Sequence, residues 1–455
     1  MKIKKFNFWL IVAVLSFLIG TGVRFYYGLS TDFWTDEGIS YLIAENNSWL
    51  DLIFSTGSYK DFVHPPLYYI FLKLILLIGN QDWFLRSASL LWFFPSALLI
   101  YLIGKKFDGR NTGLLALSLF SLHPFFGNLA FQVRPYSMTI FFVLLSIYLF
   151  LQIIFSKNPP KEWLVGLILA ISFYANYASL WLVLGIAIFG VILWVREEEL
   201  LWQKSAKVLL YFAAFASYQI FTLISFIISY DGKIIAGSVN ENSLTWFTEQ
   251  FNFLIGLKFL FISLPVFFAF IFFLIKRKAN FFNEFLLAIL FSPLLLSLTY
   301  SFLLQPIFLA RNLFVVSISF ILILGQFNKS IKNTILMVSI LVFYAVQSVN
   351  GESFLYIKGL ESFVKKNDFK EAVVFNFIRN EDHLLYYLST ELKFPKIINA
   401  HNKLRASDLL VGSGKRIFLV LDPNILGEFA GTIETIYSQA CSGNICEEII
   451  IKGGR

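Results

Sequence analysis

Apolar runs of about 20 residues recur along most of the chain, and this feature constrains the fold more than any other. A helix needs about 17 to 25 such residues to cross roughly 30 Å of hydrocarbon, where its backbone groups can be satisfied only internally. Runs of this kind fall near 8–28, 84–104, 111–128, 137–155, 162–176, 178–195, 207–229, 252–275, 283–303, 307–325 and 333–350. The expected fold is a polytopic α-helical membrane protein with about eleven transmembrane helices. Composition agrees: 15% charged residues is well below the roughly 25% of a soluble chain. An aromatic content of 18% excludes disorder.

The net charge of +8 is explained by where the charges sit. Lys2, Lys4 and Lys5 precede the first run, and later clusters are Lys105, Lys106 and Arg110; Lys157 and Lys161; Arg196, Lys204 and Lys207; Lys276, Arg277 and Lys278; Lys329 and Lys332. Every second inter-span segment is basic, which is the positive-inside pattern. It places the amino terminus in the cytoplasm and the tail from Gly351 outside a cell membrane. A topology signal of this kind leaves no charge excess for nucleic acid. The first run lacks a small-residue cleavage site and reads as an uncleaved anchor.

One run does not fit. Leu67 to Gly79 is too short to span and is interrupted by Lys73. It is expected as an interfacial helix opened by Pro65-Pro66, within a first outer loop covering about 29–83. That loop holds Asp32, Asp36, Glu37, Glu45, Asp51, Asp61 and His64, and around it lie Tyr26, Tyr27, Trp34, Trp49, Tyr68, Tyr69 and Trp83, expected as an aromatic belt. The chain thus divides into a transmembrane region, 1–350, and a small extracytoplasmic α/β domain, 351–455. In the tail, Ala372 to Phe377 and Arg416 to Leu421 read as strands, and Gly412 to Lys415 as a turn before the second. The only cysteines, Cys441 and Cys446, lie there too. A disulfide in an oxidising compartment and two free thiols are both open readings.

Ionisable residues kept at a membrane face are expensive to desolvate and so are functional candidates. Trp34-Thr35-Asp36-Glu37-Gly38 follows the first span, and Asp61-Phe62-Val63-His64-Pro65-Pro66-Leu67-Tyr68-Tyr69 opens the interfacial helix. Arg86 begins the second span, Gln132-Val133-Arg134-Pro135-Tyr136 lies in the next outer loop, and Arg311-Asn312 ends the tenth span. These three arginines run against the positive-inside bias, which suggests an anionic partner outside. A cap of a short helix by Thr35 or Asp36, snorkelling by the arginines and a hydrogen-bonded helix start at His64 are the structural alternatives.

As an ordered set these motifs resemble glycosyltransferase family 39, the protein O-mannosyltransferases and their bacterial relatives, and the architecture of the aminoarabinose lipid A transferases. The resemblance is densest over about 1–155 and recurs near Arg311. It implies a GT-C bundle in which a sugar passes from a polyprenyl-phosphate carrier to an acceptor hydroxyl of the cell envelope, on the outer face. In an inverting displacement of this kind one base takes the acceptor proton. A phosphate monoester, with a second pKa near 6, can leave without a general acid. Asp36 is then the expected base, with Glu37 orienting the acceptor or the sugar. Asp61, His64, Arg86, Arg134, Tyr136 and Arg311 are the expected substrate contacts, and the arginines would hold the phosphate. Asp36, Glu37 and His64, with Asp61, are also the residues that would bind a divalent metal if the reaction uses one. The rival reading, a transporter or flippase of lipid-linked saccharides, predicts charges deep in the spans and related halves; the spans are nearly free of charge and no repeat is visible.

Overall fold

The structure, a computed structural model, describes residues 8–30, 33, 35–54, 64–229, 244–257, 267–268, 280–303, 308–327 and 331–349, and in the tail six strands. The apolar runs form helices. These are α1 (Phe8–Ser30), α2 (Thr35–Asn46), α3 (Trp49–Phe54), α4 (Leu67–Leu76), α5 (Asp82–Leu90), α6 (Phe93–Phe107), α7 (Arg110–Leu122) and α8 (Pro124–Phe131). Then come α9 (Tyr136–Phe155), α10 (Glu162–Ala175), α11 (Leu180–Val195), α12 (Glu199–Ser229), α13 (Leu244–Ile255), α14 (Phe281–Leu303), α15 (Phe314–Gly325) and α16 (Ile331–Val349).

Among the described residues, six helical stretches are long and apolar enough to cross a membrane, or seven if one bent pair counts as a span. The difference from the expected eleven has local causes. The third run bends by 63° between α7 and α8, because Pro124 has no N–H to continue the helix and His123 stays extended. The tenth run yields only the 12 residues of α15, behind a 3₁₀ turn at Ala310–Asn312. The break expected near Asn176 is present: α10 ends at Ala175, and the Asn176 side chain accepts from the Ala178 N–H to start the next turn. Most of the 252–275 run lies outside the described residues.

The bundle is built around α7, which packs on α1, α6, α15 and α16. Every residue of α15 is buried, which is why that helix carries no charged residue and its two serine hydroxyls donate to backbone carbonyls. The α6–α7 crossing is close because it is made of glycine. A Cβ on Gly104 would lie 2.8 Å from the Gly113 Cα, and one on Gly113 would lie 2.5 Å from the Tyr101 carbonyl oxygen. The one arginine deep in α1, Arg24, is buried and donates to the Ser121 carbonyl at 2.6 Å and to the Gly20 carbonyl at 2.8 Å. It satisfies a carbonyl left over where α7 breaks, a favourable place for a cation.

A second, smaller core lies under α2 to α5, where Phe33, Tyr41, Tyr68, Tyr69 and Leu85 pack with Val133. Helix α4 has 10 residues, about 15 Å at 1.5 Å per residue, too short to span. Tyr68 and Tyr69, expected in an aromatic belt, are instead buried in this core. In the tail, β1 (Tyr356–Lys358) pairs antiparallel with β6 (Lys452–Gly454). The strands β2 (Val373–Asn376), β3 (Lys396–Asn399), β4 (Arg416–Leu421) and β5 (Ile445–Ile450) form a parallel sheet of order β3-β2-β4-β5. Cys441 and the Gly412 to Lys415 turn lie outside the described residues, as does the side chain of Cys446.

Candidate active site

The first turn of α2 carries both carboxylates, Asp36 and Glu37, where negative charge is favoured by the helix dipole. Consecutive helical residues point about 100° apart, so the two acids face different surroundings. Glu37 turns inward and is fully buried. Arg86 of α5 grips it with both ends of the guanidinium, Nε donating to Oε1 at 2.9 Å and Nη2 to Oε2. The Val133 backbone N–H adds a bond to Oε1 at 2.9 Å. Arg86 is itself 1% exposed, and its guanidinium lies 5.2 Å from the Phe33 ring centroid and 5.4 Å from that of Phe131. Desolvation of these charges is offset by bidentate geometry and the third hydrogen bond. The sequence leads one to expect Glu37 against the acceptor or the sugar and Arg86 against the phosphate; the structure turns them on each other.

Asp36 faces outward, with its side chain 20% exposed. Arg311, from the 3₁₀ turn before α15, donates to Oδ2 at 3.1 Å. Arg134 reaches the same oxygen at 3.8 Å. Arg134 is held from several sides: its Nη1 donates to the Asp36 backbone carbonyl at 3.1 Å and to the Ser40 hydroxyl oxygen at 3.0 Å. Ser40 in turn donates to the same carbonyl at 2.9 Å. The side chain of Arg134 is 6% exposed and that of Arg311 42%. The guanidinium of Arg311 is held above its ordinary range, by the phenol oxygen of Tyr136 first and the Asp36 carboxylate second; it stays cationic throughout. Its turn is fixed by Gln250 of α13, whose side-chain oxygen accepts from the Ala310 N–H at 2.9 Å.

Tyr136 starts α9 beside these groups and is 1% exposed. The His64 ring stands edge-on to it, centroids 6.2 Å apart, and His64 is buried. Tyr68 and Ser89 share a hydrogen bond at 2.9 Å below this level. Asp61 lies outside the described residues. Among the described residues no three His, Cys, Asp or Glu side chains assemble in a way that holds a metal ion: Asp36 faces two guanidinium groups and Glu37 is committed to Arg86.

Asp36, His64, Arg134, Tyr136 and Arg311 are therefore collected on one face, while Glu37 and Arg86 form a brace behind it. Ser40 was not singled out in the sequence, although its place four residues after Asp36 puts it on the same helix face. The role of Gln250 left no local signal.

Residues 63–223 match the family model of dolichyl-phosphate-mannose-protein mannosyltransferase; that stretch contains His64, Arg86, Arg134 and Tyr136. Two solved structures of ArnT from Cupriavidus metallidurans are similar over 92% of this chain and 94% of theirs. The one bound to undecaprenyl phosphate has 10% identity and a TM-score of 0.55, and the one in the apo state 11% and 0.56. No curated protein matches the chain by sequence. The family model thus agrees with the resemblance over residues 63–223, and the chain is a multi-pass membrane protein that shares the fold of the two ArnT structures.

Proposed function

We propose that the protein transfers a sugar from a polyprenyl-phosphate carrier to an acceptor hydroxyl of the cell envelope, by inverting displacement with Asp36 as the base. The observation that carries this reading is a single outward carboxylate met by two arginines from distant parts of the chain. Arginine guanidinium groups beside one base are what transfer from a lipid phosphate requires. The acceptor hydroxyl gives its proton to Asp36, and its oxygen attacks the anomeric carbon. The bond from that carbon to the phosphate oxygen breaks, and the electron pair leaves with the phosphate. Arg311 faces the charge that grows there, since charge-assisted hydrogen bonds are strongest to a developing anion.

In this reading Glu37 and Arg86 position the site without touching substrate. The undecaprenyl phosphate named for one ArnT structure supports a polyprenyl-phosphate donor for this chain as well. The positive-inside pattern supports an outer-face site, a cytoplasmic amino terminus and an extracytoplasmic tail. Asp36→Asn is the test, with a labelled polyprenyl-phosphate sugar and native envelope as acceptor. Transfer should fall by about 10²- to 10⁴-fold, the usual contribution of a general base, with expression and donor binding retained. Full activity of that variant would remove Asp36 from the role. Mass spectrometry of envelope lipids, glycans and glycoproteins from cells with and without the protein would identify sugar and acceptor together.

A further inference from the structure

Arg311 is held differently from its neighbour. Arg134 is nearly buried and bonded to a backbone carbonyl, a hydroxyl and, more distantly, the Asp36 carboxylate. Arg311 is 42% exposed and meets Asp36 through one hydrogen bond of 3.1 Å. Beside it stands Tyr136, 1% exposed, whose hydroxyl has no hydrogen-bond partner among the described residues. A buried hydroxyl without a partner is costly. A guanidinium carries donors only, so Arg311 cannot relieve it by offering an acceptor. An anion placed between them would accept from both groups at once.

Resting on the donor proposed above, we infer that Arg311 is handed from one anion to another during the reaction: from the Asp36 carboxylate to the phosphate of the lipid donor, which it shares with Tyr136. The handover follows the charge. A sugar phosphodiester carries one negative charge and competes with Asp36 for Arg311. As the bond to the anomeric carbon breaks, the departing phosphate gains a second charge and draws the guanidinium more strongly. At the same time Asp36 takes the acceptor proton and loses the charge that held it. Proton uptake at one end and charge growth at the other therefore promote each other, so the cation is worth more in the transition state than before it. It also sets an order, because donor phosphate must be present before Asp36 is released to serve an acceptor.

The test needs neither sugar nor acceptor. The probe is a C55 polyprenyl monophosphate, bound at fixed salt by the full-length protein in lipid nanodiscs, as wild type, Asp36→Asn, Arg311→Gln and the double variant. Without its competing carboxylate, Asp36→Asn should bind the probe about three- to tenfold more tightly than wild type, a coupling usual for groups in contact. Arg311→Gln should weaken binding at least as much, and in the double variant the gain from Asp36→Asn should vanish. Arg311→Lys, which keeps the charge, should recover part of the affinity. A gain that persists without Arg311 would show plain repulsion between carboxylate and phosphate and would overturn the handover, as would an unchanged affinity in Asp36→Asn. Failure of the wild type to bind the probe would overturn the donor reading and the handover with it.

Discussion

Two ion pairs begin on adjacent residues of one helical turn and differ in almost every physical respect. The Glu37–Arg86 pair is buried on both sides, bidentate, and completed by a backbone N–H from Val133. The Asp36–Arg311 pair is a single hydrogen bond, partly exposed, and set beside a phenol whose hydroxyl has no hydrogen-bond partner among the described residues. The first binds α2, α5 and the segment after α8 into one body, with no carboxylate surface left for a ligand. The second leaves a carboxylate and a cation at the surface of that body. Adjacent acids of the same chemical type thus divide into one that fixes geometry and one that is available for chemistry. Burial, not sequence position, makes the division.

The comparison breaks if the two pairs respond alike to removal of their cations. Arg86→Met leaves the Glu37 carboxylate buried without its partner, a change that costs about 3–5 kcal/mol when a buried pair is broken. Arg311→Met removes a partly exposed pair, for which about 0–1 kcal/mol is expected. Thermal unfolding of both variants in the same detergent should show a large fall in midpoint for the first and almost none for the second. Equal shifts would mean that Arg311 is a structural cation and not an available one.

Tyr136 sharpens the same contrast at smaller scale. Its hydroxyl makes no hydrogen bond within the described residues, so Tyr136→Phe removes nothing that holds the fold. Stability should stay constant or rise slightly, since an unpaired buried polar group is removed. Binding of a polyprenyl phosphate should weaken by roughly ten- to a hundredfold, the worth of a hydrogen bond to a charged group. A fall in stability without loss of binding would place the hydroxyl in the core's own network.

Much of this architecture is legible in the sequence. Apolar runs mark helices reliably because the cost of unsatisfied backbone in hydrocarbon leaves no other choice. The breaks were less visible: His123-Pro124 sits inside a continuous apolar run, so hydropathy carried the third span straight through a 63° bend. At the site, sequence marked which residues were out of place on the outer side, Asp36, Glu37, Arg86, Arg134 and Arg311, but not which met which. Glu37 and Arg86 are 49 positions apart, and Asp36 and Arg311 are 275 apart. Pairing over such distances is set by how the helices pack, and local pattern carries no trace of it. Three similar arginines carry one expected role in the sequence, whereas packing gives them three settings: a buried partner of Glu37, a nearly buried support bonded to Ser40 and the Asp36 carbonyl, and a partly exposed partner of the Asp36 carboxylate.

Lys73 offers the smallest and most local test. It interrupts an apolar run, and its ammonium donates to the Ala44 carbonyl at 2.9 Å and the Glu45 carbonyl at 3.3 Å, 5.6 Å from the centre of the Trp49 ring. These are carbonyls of the last turn of α2, so Lys73 caps the end opposite Asp36 and suits the negative end of the helix dipole. Lys73→Met should cost about 0.3–1 kcal/mol of stability, the usual worth of a cation at that end. Asp36 stands at the other end of a 12-residue helix, about 15 Å away along the axis. Its turn is pinned by Glu37 and by the two bonds of Arg134, so fraying at the Lys73 end should not travel that far. Transfer should then change by less than about threefold while the unfolding midpoint falls slightly. A folded Lys73→Met protein that has lost transfer would show that the first turn is held through the length of α2, and that the Glu37–Arg86 brace alone does not fix Asp36.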